Sequence, residues 1–131
     1  MLLAVLGRMS EHEVLHPDSS HPITVTATEG RVAVFRGDRK IAETSRALTL
    51  TEATYPPVQY VPLADVDPAV LESSDHSSYC PYKGDAGYYS IVVEGDRADD
   101  AVWHYDAPYE AVSPIAGHVA FYPDQVRISI G

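Results

Sequence analysis

The feature that most constrains this chain is a succession of short segments in which apolar and polar residues alternate with period two, each closed by glycine, proline or an acid. Ile23-Thr24-Val25-Thr26-Ala27-Thr28 runs into Glu29-Gly30, and Arg31-Val32-Ala33-Val34-Phe35-Arg36 into Gly37-Asp38. A third strand is expected over Arg39–Thr44, and Ala47-Leu48-Thr49-Leu50-Thr51-Glu52 repeats the pattern. Successive side chains of a strand point to opposite faces, so such segments make sheets with one buried face, not helices.

The pattern continues through Val58-Gln59-Tyr60-Val61, which follows Pro56-Pro57, and through residues 87–93, 101–105, 117–122 and 126–130. These spacings predict a mainly β, small single domain of about seven to nine antiparallel strands, forming a twisted sandwich or partly open barrel. Three hairpins are expected: one joining the first two segments, one around Gly95-Asp96, and one across Pro123-Asp124-Gln125. One or two short helical turns are expected, over residues 63–71 with Pro68 and near residues 109–112. No long amphipathic pattern alternates with the strands, which argues against a parallel α/β fold.

The domain is expected over residues 21–131, after a flexible N-terminal arm over residues 1–20 in which Ser10-Glu11-His12-Glu13 and His16-Pro17-Asp18-Ser19-Ser20 show no sustained periodicity. The apolar run Leu2-Leu3-Ala4-Val5-Leu6 is too short for a signal-peptide core or a membrane span, so no targeting segment and no membrane partner are expected. Cys80 is the single cysteine. An intrachain disulfide and a multi-cysteine zinc site are therefore impossible, and a reducing, cytoplasmic setting is expected.

The formal charge of -10 is concentrated in residues 61–131, which hold twelve acids against three bases, Lys83, Arg97 and Arg127. Such a surface repels phosphate backbones, so no nucleic-acid partner is expected. The same half holds the only tryptophan, Trp103, and seven of the nine tyrosines, the other two being Tyr55 and Tyr60. Within it, Cys80-Pro81-Tyr82-Lys83-Gly84 sets a thiol three residues before an ammonium, in a segment that proline and glycine predispose to bend. A cation beside a thiol favours the nucleophilic thiolate. The plainer readings are a small buried cysteine and a lysine that balances charge.

His104 and His118 fall on expected strands, where each can move protons or simply hydrogen-bond within a sheet. His12, His16 and His21 are spaced for a weak metal site in the arm, and Asp65-Val66-Asp67 has a carboxylate spacing used to hold magnesium. No phosphate cradle accompanies the aspartates, and no metal and no cofactor are expected.

Five stretches together resemble the bacterial domain of unknown function 427 family (DUF427), which carries the label predicted nucleotidyltransferase. They are Arg46-Ala47-Leu48 with Glu52; Tyr55-Pro56-Pro57-Val58-Gln59-Tyr60-Val61-Pro62; Cys80-Pro81-Tyr82-Lys83-Gly84-Asp85-Ala86-Gly87-Tyr88-Tyr89; Trp103-His104-Tyr105 with Pro108; and Gly117-His118-Val119-Ala120-Phe121-Tyr122-Pro123. The resemblance implies a compact β-rich fold and a hydroxyl at Ser78, where the family has threonine. The functional expectation is a pocket for a small polar or anionic molecule. Cys80, Lys83, Glu52 and His118 would carry any catalysis there, and Tyr60, Ser78, Tyr82, Tyr88, Trp103 and Tyr105 would contact the ligand.

The alternative is a non-catalytic protein-interaction or homodimerisation module in which the Cys80 loop is structural. A third possibility is a redox-sensing thiol that works through glutathione or a partner. Either a monomer or a homodimer is compatible with the sequence.

Overall fold

In the computed structural model, which describes residues 13–131, ten strands form two antiparallel sheets. The strands are β1 (Ile23–Ala27), β2 (Val32–Arg36), β3 (Arg39–Thr44), β4 (Leu48–Glu52), β5 (Val58–Pro62), β6 (Leu71–Cys80), β7 (Gly84–Val93), β8 (Asp96–His104), β9 (His118–Phe121) and β10 (Arg127–Ile130). Seven of them are ordered β1-β4-β5-β9-β8-β7-β6, and the other three β10-β2-β3. The architecture is mainly β and sandwich-like with no closed barrel, as the alternation predicts.

One core lies between the sheets. Val32, Val34, Ile41 and Ala42 of the smaller sheet pack with Val61, Ile91, Val102, Val119 and Phe121 of the larger, all of them buried. Each fully buried valine or isoleucine contributes roughly 1.5–3 kcal/mol relative to exposure. The opposite face of the large sheet carries a second cluster, Leu50, Tyr60, Ala86, Tyr88, Tyr105 and Ala120 among others, covered in part by Val112 and Ile115 of the 3-10 segment Glu110–Ile115.

Two expected hairpins are not formed. β1 pairs with β4 and β2 with β3, while β9 pairs with β5 and β8 and β10 with β2. In both places the chain crosses from one sheet to the other at the turn: near Gly30, where Arg31 and Gly131 exchange backbone hydrogen bonds, and at residues 123–125. Turn chemistry dictates a reversal but not the sheet that receives the next strand. The hairpin around Gly95 forms as expected, β7 against β8.

β6 was not expected from the sequence. Leu-Glu-Ser-Ser-Asp-His-Ser-Ser-Tyr-Cys has low strand propensity, but it lies at the sheet edge, where one side meets solvent and β7 supplies the pairing. The helical region over residues 63–71 resolves into two single 3-10 turns, Leu63–Asp65 and Pro68–Val70, the second capped by the Asp67 carboxylate on the Ala69 N–H.

The part of the N-terminal arm over residues 1–12, His12 included, lies outside the described residues. Residues 13–20 run beside the β6–β7 turn, where the Leu15 N–H donates to the Pro81 carbonyl at 2.9 Å and the Tyr79 hydroxyl to the Glu13 carbonyl at 2.7 Å. No helix among the described residues is long and apolar enough to cross a membrane.

Candidate functional site

Strand register places the aromatic residues. Leu48 lies opposite Tyr60, Leu50 opposite Val58, Tyr88 opposite Trp103, and Trp103 opposite Ala120, so all share the face that points away from the small sheet. Glu52 continues the series Leu48, Leu50 by two residues. Period-two alternation therefore aims its carboxylate at the same apolar face.

A cavity of about 270 Å³ opens on this face. Tyr60, Tyr88, Trp103 and Tyr105 wall it, and Lys83 and Glu52 supply its charged groups. Tyr55 and Tyr122, 61% and 39% exposed, sit where it meets solvent. The Trp103 indole N–H donates to the Tyr60 hydroxyl at 3.0 Å, and the two rings meet edge to face.

Lys83 reaches the cavity from the β6–β7 turn. Its N–H closes the turn on the Cys80 carbonyl at 3.1 Å, and the Lys83 carbonyl accepts the Tyr109 N–H at 3.0 Å. Gly84 follows with φ 109°, a conformation that any side chain would strain, and so returns the chain into β7. Lys83 is only 7% exposed, and its Nζ donates to Glu52 Oε1 at 2.5 Å. The other carboxylate oxygen, Oε2, lies 2.7 Å from His21 Nε2, and the His21 ring stacks on Tyr82 at 4.2 Å between centroids.

Burial alone would raise the Glu52 carboxyl, but the hydrogen bonds from Lys83 and His21 outweigh it and hold the group below the usual glutamate range. Burial pushes the Tyr60 phenol up to about 12 against a lowering by the Trp103 hydrogen bond, and it drives Tyr105 upward as well. The cavity thus presents neutral phenols around one ion pair.

Of the residues expected to form the site, the fold brings Glu52, Tyr60, Lys83, Tyr88, Trp103 and Tyr105 to one cavity. Cys80 lies behind the lysine. Its Sγ is 3.8 Å from Lys83 Nζ, and the side chain is half-buried against the aromatic cluster, outside the cavity lining. Ser78 is exposed and holds the Tyr88 hydroxyl at 2.8 Å, acting on the wall from outside.

Tyr82 is turned away from the cavity, onto His21 and an outer groove shared with Leu15 and Tyr109. His118 does not line the cavity either. It stands at the start of β9, paired with Pro62, and its Nδ1 contacts the Ala116 carbonyl at 2.9 Å. His104 is held by Asp106 at 2.7 Å and packs over Gly87.

Asp65 and Asp67 are separately engaged, the first by Thr44 and Arg46, the second by Arg39 and the Ala69 N–H. Among the described residues no group of three or more histidine, cysteine or acidic side chains is placed to hold a metal. Sequence reasoning missed His21, Tyr55 and Tyr122 as members of the site. The signal for His21 lies in strand pairing, since Ile23 is opposite Glu52 and the preceding histidine is thereby delivered to the carboxylate.

A small mainly-β domain with an aromatic cavity on one sheet face, charged by one ion pair, is the class that fold and site define. Residues 24–130 match the family described as a Domain of unknown function (DUF427), and the chain belongs to that family. No curated protein matches the sequence.

Proposed function

We propose that this domain binds a small polar molecule in the cavity, with Lys83 directed at an oxygen of the ligand and Tyr60, Tyr88, Trp103 and Tyr105 enclosing its body. The observation that carries this reading is the burial of the Lys83–Glu52 pair beside the cavity, with side chains 9% and 15% exposed. Desolvating two charges is costly, and apolar residues of similar volume commonly do as well or better for stability. An ion pair kept among aromatic walls is therefore best explained by a ligand that uses it.

Non-covalent recognition is favoured over catalysis by Cys80, because the thiol stands outside the cavity lining. Trp103, the only tryptophan, is a wall of the cavity and hence a built-in reporter. Small carboxylates, amides and carbonyl compounds screened by Trp103 fluorescence should yield ligands that Lys83→Met loses and Cys80→Ala keeps. A folded Lys83→Met protein with undiminished affinity would refute the role of the lysine, and loss of binding in Cys80→Ala would return the thiol to the site.

A second reading, the non-catalytic interaction or homodimerisation module, is favoured by a different observation. An apolar groove runs between Pro56-Pro57 and Phe121, Ile128 and Ile130, and Ile130 is 53% exposed. Sedimentation of the wild type beside Ile130→Glu discriminates the two. A dimer that the charge dissolves, together with no cavity ligand, would favour the module.

A further inference from the structure

We propose that His21 sets the charge of the cavity, so that a small carboxylate enters together with one proton taken up by His21. The proposal rests on the binding reading above and names the ligand class and its control. Among the described residues, Lys83 and Glu52 are the only charged ones that line the cavity, and they cancel. An anion approaching Lys83 therefore meets no net attraction, because the Glu52 carboxylate already occupies the ammonium at 2.5 Å.

His21 changes that balance from outside the cavity. Its Nε2 is 2.7 Å from Glu52 Oε2, and its side chain is 24% exposed, in reach of solvent protons. An ionised carboxylate only accepts hydrogen bonds, so Nε2 carries the hydrogen of this contact in the neutral ring, and an added proton goes to Nδ1. With that proton the three groups carry a net single positive charge. Glu52 is then drawn towards two cations, and part of the Lys83 field is released to a ligand.

The groups that face His21 are consistent with this role. Glu52 on β4 faces its Nε2. Asp18 in the preceding turn stands beside it, its carboxylate accepting the His21 backbone N–H at 3.0 Å. Lys83 stands behind Glu52, and Tyr82 contributes a stacked ring. The site thus couples proton and anion by position. Binding one raises the affinity for the other by the same factor.

The test uses benzoate, which stays ionised through the histidine range, and benzamide, its uncharged counterpart, titrated against Trp103 fluorescence from about pH 5.5 to about pH 8.5. Benzoate affinity should fall by up to about tenfold per pH unit towards the alkaline end, while benzamide affinity stays level. Calorimetry of the wild type in buffers of different ionisation heat should show uptake of close to one proton per benzoate, a readout that needs no variant. His21→Gln keeps a donor to Glu52 but cannot take the proton, and should flatten the benzoate profile.

A level benzoate profile in the wild type, no proton uptake, or an unchanged profile in His21→Gln would each overturn the role of His21. Binding of benzamide without benzoate at every pH would overturn the anion class and leave the pocket standing. Failure of both probes at every pH would overturn this inference, and failure of the wider ligand screen the pocket itself.

Discussion

Lys83 and Glu52, 31 positions apart, meet at 2.5 Å because β4 aims the carboxylate at the face of the large sheet that points away from the small one, while the β6–β7 turn drops the lysine onto the same face. Neither strand alone makes a site. The pair exists because β4 and the turn converge beside Tyr60 and Tyr105.

Breaking the pair from one side should cost more than removing it. Glu52→Gln leaves a largely buried ammonium with a neutral partner and should destabilise the fold by about 2–4 kcal/mol, less than a deeply buried pair because the cavity admits water. The double variant with Lys83→Met should recover at least half of that loss. Urea denaturation of the two single variants and the double variant gives the coupling directly, and additive losses would mean that the two charges do not interact energetically.

The acid limb of stability should carry a contribution from Glu52. Its carboxyl is held below the usual range in the folded protein, so near and below the ordinary glutamate value of about 4.3 the unfolded chain binds the extra proton and stability rises with pH. The contribution is complete above that value and is lost as pH falls through the lower folded one. Denaturation midpoints measured from about pH 6 down to about pH 3 should show the wild type converging on Glu52→Gln at the acid end. Parallel curves would show that the carboxyl is not shifted.

Gly87 admits no larger residue without movement of His104. A Cβ at Gly87 would stand 2.7 Å from His104 Cε1, because the two residues face each other across β7 and β8 and the ring lies over the glycine. Gly87→Ala should displace the ring, break its 2.7 Å contact with Asp106 and cost roughly 1–2 kcal/mol. His104→Ala in the same chain should restore most of that loss. A Gly87→Ala protein as stable as the wild type would mean that the ring moves freely.

How much of this was legible beforehand depends on the length scale of each signal. Alternation in Leu48-Thr49-Leu50-Thr51-Glu52 marks both a strand and the face to which Glu52 belongs, since the pleat is local. The clustering of tyrosines near Cys80 pointed to the right half of the chain. His118 and Tyr82 did not enter the cavity because adjacency in sequence says nothing of which side of a strand or turn a side chain takes once its register is set. β6 stayed hidden because an edge strand needs only one partner and tolerates a serine-rich sequence.

The sequence by itself determined the period of each segment, the places where the chain reverses, the charge imbalance and the absence of any possible intrachain disulfide. All of these are short-range or compositional properties. The tertiary structure alone decided that β1 joins β4 and β10 joins β2, and that His21, Glu52 and Lys83 meet. Those contacts are chosen by burying two apolar faces at once, a condition that spans the whole chain and that no local pattern records.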